Sequence, residues 1–73
     1  MKKIIIHSYI EDMAIAVNCV ARAIHKNEHL FEDGYEPIFT FNHNDKELVV
    51  ASFNNKNSIR FNVYYEESLG EIK

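Results

Sequence analysis

The chain lacks the parts that a stapled, membrane-spanning or nucleotide-cradling protein needs. Cys19 is the single cysteine, so no internal disulfide can form, and a small domain without a staple is at home in a reducing compartment. Pro37 is the only proline, and Gly34 and Gly70 are the only glycines, too few for the backbone freedom of a phosphate-binding loop. No stretch approaches the ~20 apolar residues that span a bilayer. The apolar run behind Lys2 and Lys3 is only Ile4 to Ile6, and no small-residue cleavage site follows it. A secretory signal is therefore not expected, and the expected location is cytoplasmic, with no membrane association. Positive charge is also short: 8 Lys+Arg face 11 Asp+Glu, a net charge of −3, which disfavours non-specific nucleic-acid binding.

What remains suits one small globular domain covering residues 1–73. Hydrophobic residues are 47% and charged residues 26% of the chain, too apolar for a disordered one. A domain of this length buries only about 60% of the surface its unfolded chain exposes. Its net stability should be roughly 4–11 kcal/mol at the usual value per residue. Ile, Asn and Lys are abundant, and their A/T-rich codons hint at an A/T-rich bacterial or viral genome.

The pattern predicts the order β-α-β-β-β, an α+β fold with one long helix on one face of a small antiparallel sheet. Lys3 to His7 reads as a short first strand. Ser8 to Glu11 matches a capping box, and a helix should run from there to about Leu30 or Phe31. Ile10, Met13, Ala14, Val17, Val20, Ala21 and Ile24 would form its apolar face, and Gly34 would stop it. Residues 35–41, 47–53 and 58–66 alternate with period two and form a three-stranded meander, joined by Asn-rich turns. Residues 68–73 should be a frayed tail. The expected core adds Phe39, Phe41, Val49, Ala51, Phe53, Ile59, Phe61 and Val63 to the helix face.

Catalytic signals are weak. His25 and His29, four apart on the expected helix, have a spacing that can bind a metal, with His7, His43 or Glu32 as a remote third ligand. Solvated histidines near a helix end explain them better, and no metal or cofactor is expected. Cys19 lies mid-helix with no histidine within one turn, which suits a packed thiol rather than a nucleophile. His7 with Asp12, and His43 with Asp45, lack a nucleophile motif beside them. The chain is therefore not expected to be an enzyme.

The most informative anomaly is apolar residues where the pattern wants polar ones. Ile15 points away from the expected helix stripe, near Arg22. Ile38, Leu48, Val50 and Tyr64 are expected on the sheet face that a single helix cannot cover, with Arg60 among them. Contiguous exposed apolar residues often mark contact surfaces. The candidate partner-binding residues are thus Ile15, Arg22, Ile38, Leu48, Val50, Arg60 and Tyr64. The expected function is a small non-catalytic protein-binding module, engaging a target protein or a second copy of itself. The class that fits is the accessory or inhibitor proteins of bacteriophages and other mobile elements, which act by occlusion. The alternative is a dimeric nucleic-acid-associated regulator whose paired surface gathers Arg22, Lys26, Lys56 and Arg60.

Overall fold

A computed structural model describes residues 2–66. The expectation for residues 68–73 lies outside that range. The elements are β1 (Lys3–Ser8), α1 (Met13–Lys26), β2 (Ile38–His43), β3 (Lys46–Asn54) and β4 (Ser58–Tyr65). They form one helix packed on a single four-stranded sheet of order β1-β4-β3-β2. The meander β2-β3-β4 is antiparallel, whereas β1 joins β4 in parallel, so the sheet is mixed. The parallel pairing follows from the helix: a strand-helix-strand excursion returns the chain on the same heading.

The helix begins later than the capping-box reading places it. Ser8 is still paired with Val63 as the last residue of β1. Its Oγ accepts from the Ile10 N–H and donates to the Ile10 carbonyl, turning the chain instead of capping a helix. Asp12 is the cap, its Oδ1 accepting from the amides of Ala14 at 3.0 Å and Ile15 at 3.3 Å. The helix also ends early. Asn27 takes an extended conformation, and its Oδ1 accepts from the His29 amide. Residues 28–34 then form turns, within which Gly34 holds a φ of +81°.

The first of those turns still belongs to the core, because Leu30 is fully buried. Asn54, buried at the end of β3, holds this loop by donating from Nδ2 to the carbonyls of Leu30 and Glu32. Lys2 reaches over the same corner, donating to Asn54 and pairing with Asp33 at 2.6 Å. At the opposite end, Asn44 and Asp45 both have positive φ and make a two-residue turn of the primed type, whose twist matches that of the strands.

The buried line of α1 is Ala16, Cys19, Val20 and Ala23. It lies to one side of the stripe of larger residues, leaving Met13 and Val17 exposed. The helix is set down on small side chains, which lets it approach the sheet closely, while Ala14 and Ala21, expected on the apolar face, are exposed. Ile15 and Ile24 then pack from its two flanks. Ile15 is accordingly part of the core margin, not of an outward patch. Under the helix lie Phe41, Leu48, Val50, Ile59, Phe61 and Val63. Leu48 and Val50, expected on the open face, are instead 0% exposed. Their register explains it: Leu48 pairs with Phe41 and Val50 with Phe39, and cross-strand partners share a face.

Candidate interaction surface

Reversing β3 leaves a different set of residues on the face away from the helix, which no other described element covers. Register places Ile38, Ala51, Asn62 and His7 in one row across the sheet. Thr40, Val49 and Tyr64 form the row toward one end, and Phe53, Arg60 and Ile5 the row toward the other. Val49 and Ala51 are buried although no element covers them among the described residues. They sit on β3, which has a strand on each side.

The rim of this face is apolar and aromatic. Ile38 is 66% exposed and Phe53 38% exposed. The Arg60 guanidinium lies 4.7 Å from the Phe53 ring centroid, stacked over it. Beside this pair is a shallow recess of about 300 Å³ bordered by Ile5, Glu36, Phe53, Asn55 and Arg60. Asn62, at the centre of the face, has a buried Oδ1 that accepts from nothing among the described residues.

Of the seven residues singled out from sequence, Ile38, Arg60 and Tyr64 therefore share the uncovered face. Leu48 and Val50 lie beneath the helix, and Ile15 packs at its flank. Arg22 is exposed on the other side of the sheet, its guanidinium 5.1 Å from the Phe41 ring centroid, with the Lys26 ammonium 4.9 Å from the same ring. Sequence reasoning missed Phe53 and Ile5 as surface residues. The signal that finds Phe53 is the even-numbered turn on either side of β3, which fixes its facing, whereas Ile5 follows from the parallel pairing of β1 with β4, which sets it opposite Arg60.

The other candidate chemistries are not assembled in one place. The four cations of the nucleic-acid reading are divided: Arg22 and Lys26 over β2, Arg60 on the uncovered face, and Lys56 in the β3–β4 turn. His29 lies beyond the helix end, so it does not stand one helical turn above His25. Its ring contacts Glu28 and Glu32. No group of three or more His, Cys, Asp or Glu among the described residues is arranged to hold a metal ion. Burial pushes the Cys19 thiol above its ordinary pKa, with Arg22 opposing, which keeps it protonated and poorly nucleophilic. Asp12 spends its carboxylate on the helix cap. At the β2–β3 end, the hydrogen bond that the protonated Glu66 carboxyl donates to Glu47, and then the Glu47 charge, hold Glu66 above its usual range. No described helix is long and apolar enough to cross a membrane.

Comparison with protein-family models, with curated proteins and with solved structures returns no match for the chain.

Proposed function

We propose that the chain is a small non-catalytic module that binds a protein through the uncovered face of its sheet and occludes a working surface of that target. The observation that carries this reading is the face itself: Ile38, Phe53, Arg60 and Tyr64 stand around a floor of Val49 and Ala51, with no covering element among the described residues. Aromatic and arginine side chains beside small apolar residues are the types that dominate binding energy at protein contacts. A four-stranded face about 20 Å on a side follows from strand spacing and rise. That is roughly 400 Å², about half of what one partner contributes to a standard-size interface, so a specific complex has to extend past the sheet onto its rim and loops. The composition suits an accessory or inhibitor protein of the kind carried by phages and mobile elements, and a second copy of the chain is the other occupant the face allows.

The test compares capture by the tagged wild type with capture by an Ile38→Glu/Arg60→Glu variant, both before and after nuclease treatment. Both positions are exposed, so the variant should keep the wild-type circular dichroism spectrum and unfolding midpoint. A stoichiometric protein that survives nuclease and is lost with the variant supports the reading and names the target. Equal recovery by both proteins counts against this face. Recovery that depends on intact nucleic acid would favour the regulator reading. Sedimentation of the purified chain separates self-association from a foreign partner.

A further inference from the structure

The second feature lies at the edge of the sheet, not on its face. β2 is the last strand, with β3 on one side and nothing on the other among the described residues. The phase of its hydrogen bonding is set by the Ser52 amide, which donates to the Pro37 carbonyl at 3.2 Å. Antiparallel ladders alternate, so Phe39, Phe41 and His43 turn their backbone groups toward β3. Ile38, Thr40 and Asn42 turn theirs outward. Those outward N–H and C=O groups form no hydrogen bond among the described residues.

Native proteins blunt such an edge with charge, proline or a bulge. β2 has none of these. Its sequence, Ile38 to His43, contains no Lys, Arg, Asp, Glu or Pro, and its pairing runs unbroken from Ile38↔Ala51 to His43↔Lys46. The opposite edge, β1, carries Lys3 within the strand, whereas the nearest charge and proline to β2, Glu36 and Pro37, precede its first residue. The asymmetry makes β2 the receptive edge.

The charge above that edge states what it receives. Arg22 and Lys26 both sit over Phe41, on the helix side of β2. Neither has a carboxylate within ion-pair distance among the described residues, where the bridges go to Lys2 and His29. An added strand lies about 4.8 Å beyond β2, and every second side chain on it faces the helix side. We propose that the free edge of β2 accepts an extended, acidic segment of a partner protein as a fifth strand, with alternate carboxylates meeting Arg22 and Lys26. The intervening side chains lie beside Ile38 and Thr40. A second copy of the chain fits poorly. Antiparallel β2 edges keep both helices on one face, which sets two Arg22–Lys26 pairs side by side with no anion between them, and like charges across strands destabilise. Strand addition draws affinity from main-chain bonds and specificity from alternate side chains.

The experiment is an amide NMR titration of the full chain with a ten-residue peptide alternating glutamate and threonine. A lysine–threonine peptide and a single-stranded oligonucleotide serve as the competing probes. The acidic peptide should shift the amides of Ile38, Thr40 and Asn42 and slow their hydrogen exchange, leaving Phe53 and Arg60 unmoved. An Arg22→Glu/Lys26→Glu variant, changed only at exposed helix positions, should keep its spectrum and bind about tenfold more weakly. Equal binding of the basic peptide, shifts confined to β1 or the open face, binding of the oligonucleotide instead, or no binding at millimolar peptide would each overturn the proposal. The two readings share Ile38, so Arg60→Glu alone isolates the open face, and reversing Arg22 and Lys26 isolates the edge.

Discussion

The facing of β3 is the structural fact on which the site depends, and Val50→Lys tests it. Val50 is fully buried in the cluster that contains Ala16, Val20 and Ala23, and its cross-strand partners are Phe39 and Val63. Losing the valine forfeits about 1.5–3 kcal/mol of apolar burial. Burying an unpaired ammonium costs several kcal/mol more after relaxation. A lysine can often lift its charge to water along its own stem, but here α1 lies above and a strand lies on each side. The sum is comparable with the roughly 4–11 kcal/mol available to a chain of this length. Val50→Lys should therefore be unfolded at 25 °C by circular dichroism and by collapse of amide shift dispersion. Val50→Ala gives a graded version, about 2–3 kcal/mol from two lost methyl groups and the void they leave. Phe53→Lys is the matched control. Phe53 is three residues away on the uncovered face, and it loses a stacking contact with Arg60 worth about 0.5–1 kcal/mol. That variant should fold. A cooperative Val50→Lys protein with a near-normal guanidinium midpoint, beside an unfolded Phe53→Lys, would refute the register.

Three further outcomes follow from single residues. Asp12→Ala removes the cap of α1 and should cost about 1 kcal/mol in urea titrations, whereas Ser8→Ala should cost less than a helix cap would, since Ser8 caps no helix. Asn54→Ala frees the carbonyls of Leu30 and Glu32 and should cost about 1–3 kcal/mol, with faster amide exchange through residues 28–35. The raised pKa of Cys19 means the folded state favours the neutral thiol, so that contribution is complete below the ordinary thiol pKa. It is lost as pH rises through the folded value. Between about pH 7 and about pH 10, the wild type should lose more stability than Cys19→Ala, and native Cys19 should react with a thiol reagent only slowly at neutral pH.

The order and type of every element were legible in the residues, because β-branched runs, a three-to-four apolar spacing and Asn-rich turns each have a local cause. The helix ends were not. Ser8-Tyr9-Ile10-Glu11 satisfies a capping pattern, yet pairing of Ser8 with Val63 is a long-range event that the local pattern does not contain. Asp12 carries the same capping chemistry four residues later. At the other end, Asn27 stops the helix by folding its own side chain onto the His29 amide, a competition that helical spacing does not reveal. The rotation of α1 onto Ala16 and Ala23 has the same character. Hydrophobicity points to Met13 and Val17, but the close approach of helix and sheet favours small residues on the seam. Three of the seven candidate residues, Ile38, Arg60 and Tyr64, fell on the open face because β2 and β4 alternate cleanly.

β3 failed for a reason that could have been counted. Leu48-Val49-Val50-Ala51 is apolar at every position, so alternation assigns no face, and Phe53 against Ser52 and Asn54 tips the choice toward the odd-numbered residues. The connections say otherwise. Two residues, Asn44 and Asp45, separate His43 from its partner Lys46, and four separate Asn54 from its partner Ile59. A connection with an even number of residues pairs odd positions of one strand with even positions of the next, absent a bulge. Phe39, Phe41, Ile59, Phe61 and Val63 are all odd, so the strand between them must present Leu48, Val50, Ser52 and Asn54 to the same face. The two polar members are then not misfits but fasteners: Ser52 Oγ donates to the Pro37 carbonyl at 2.6 Å, and Asn54 ties down the loop after the helix. Placing Ser52 and Asn54 inside sends Phe53 outside, where Arg60 stacks on it. The exposed aromatic of the proposed interface is thus the direct consequence of turn parity, not an isolated surface residue.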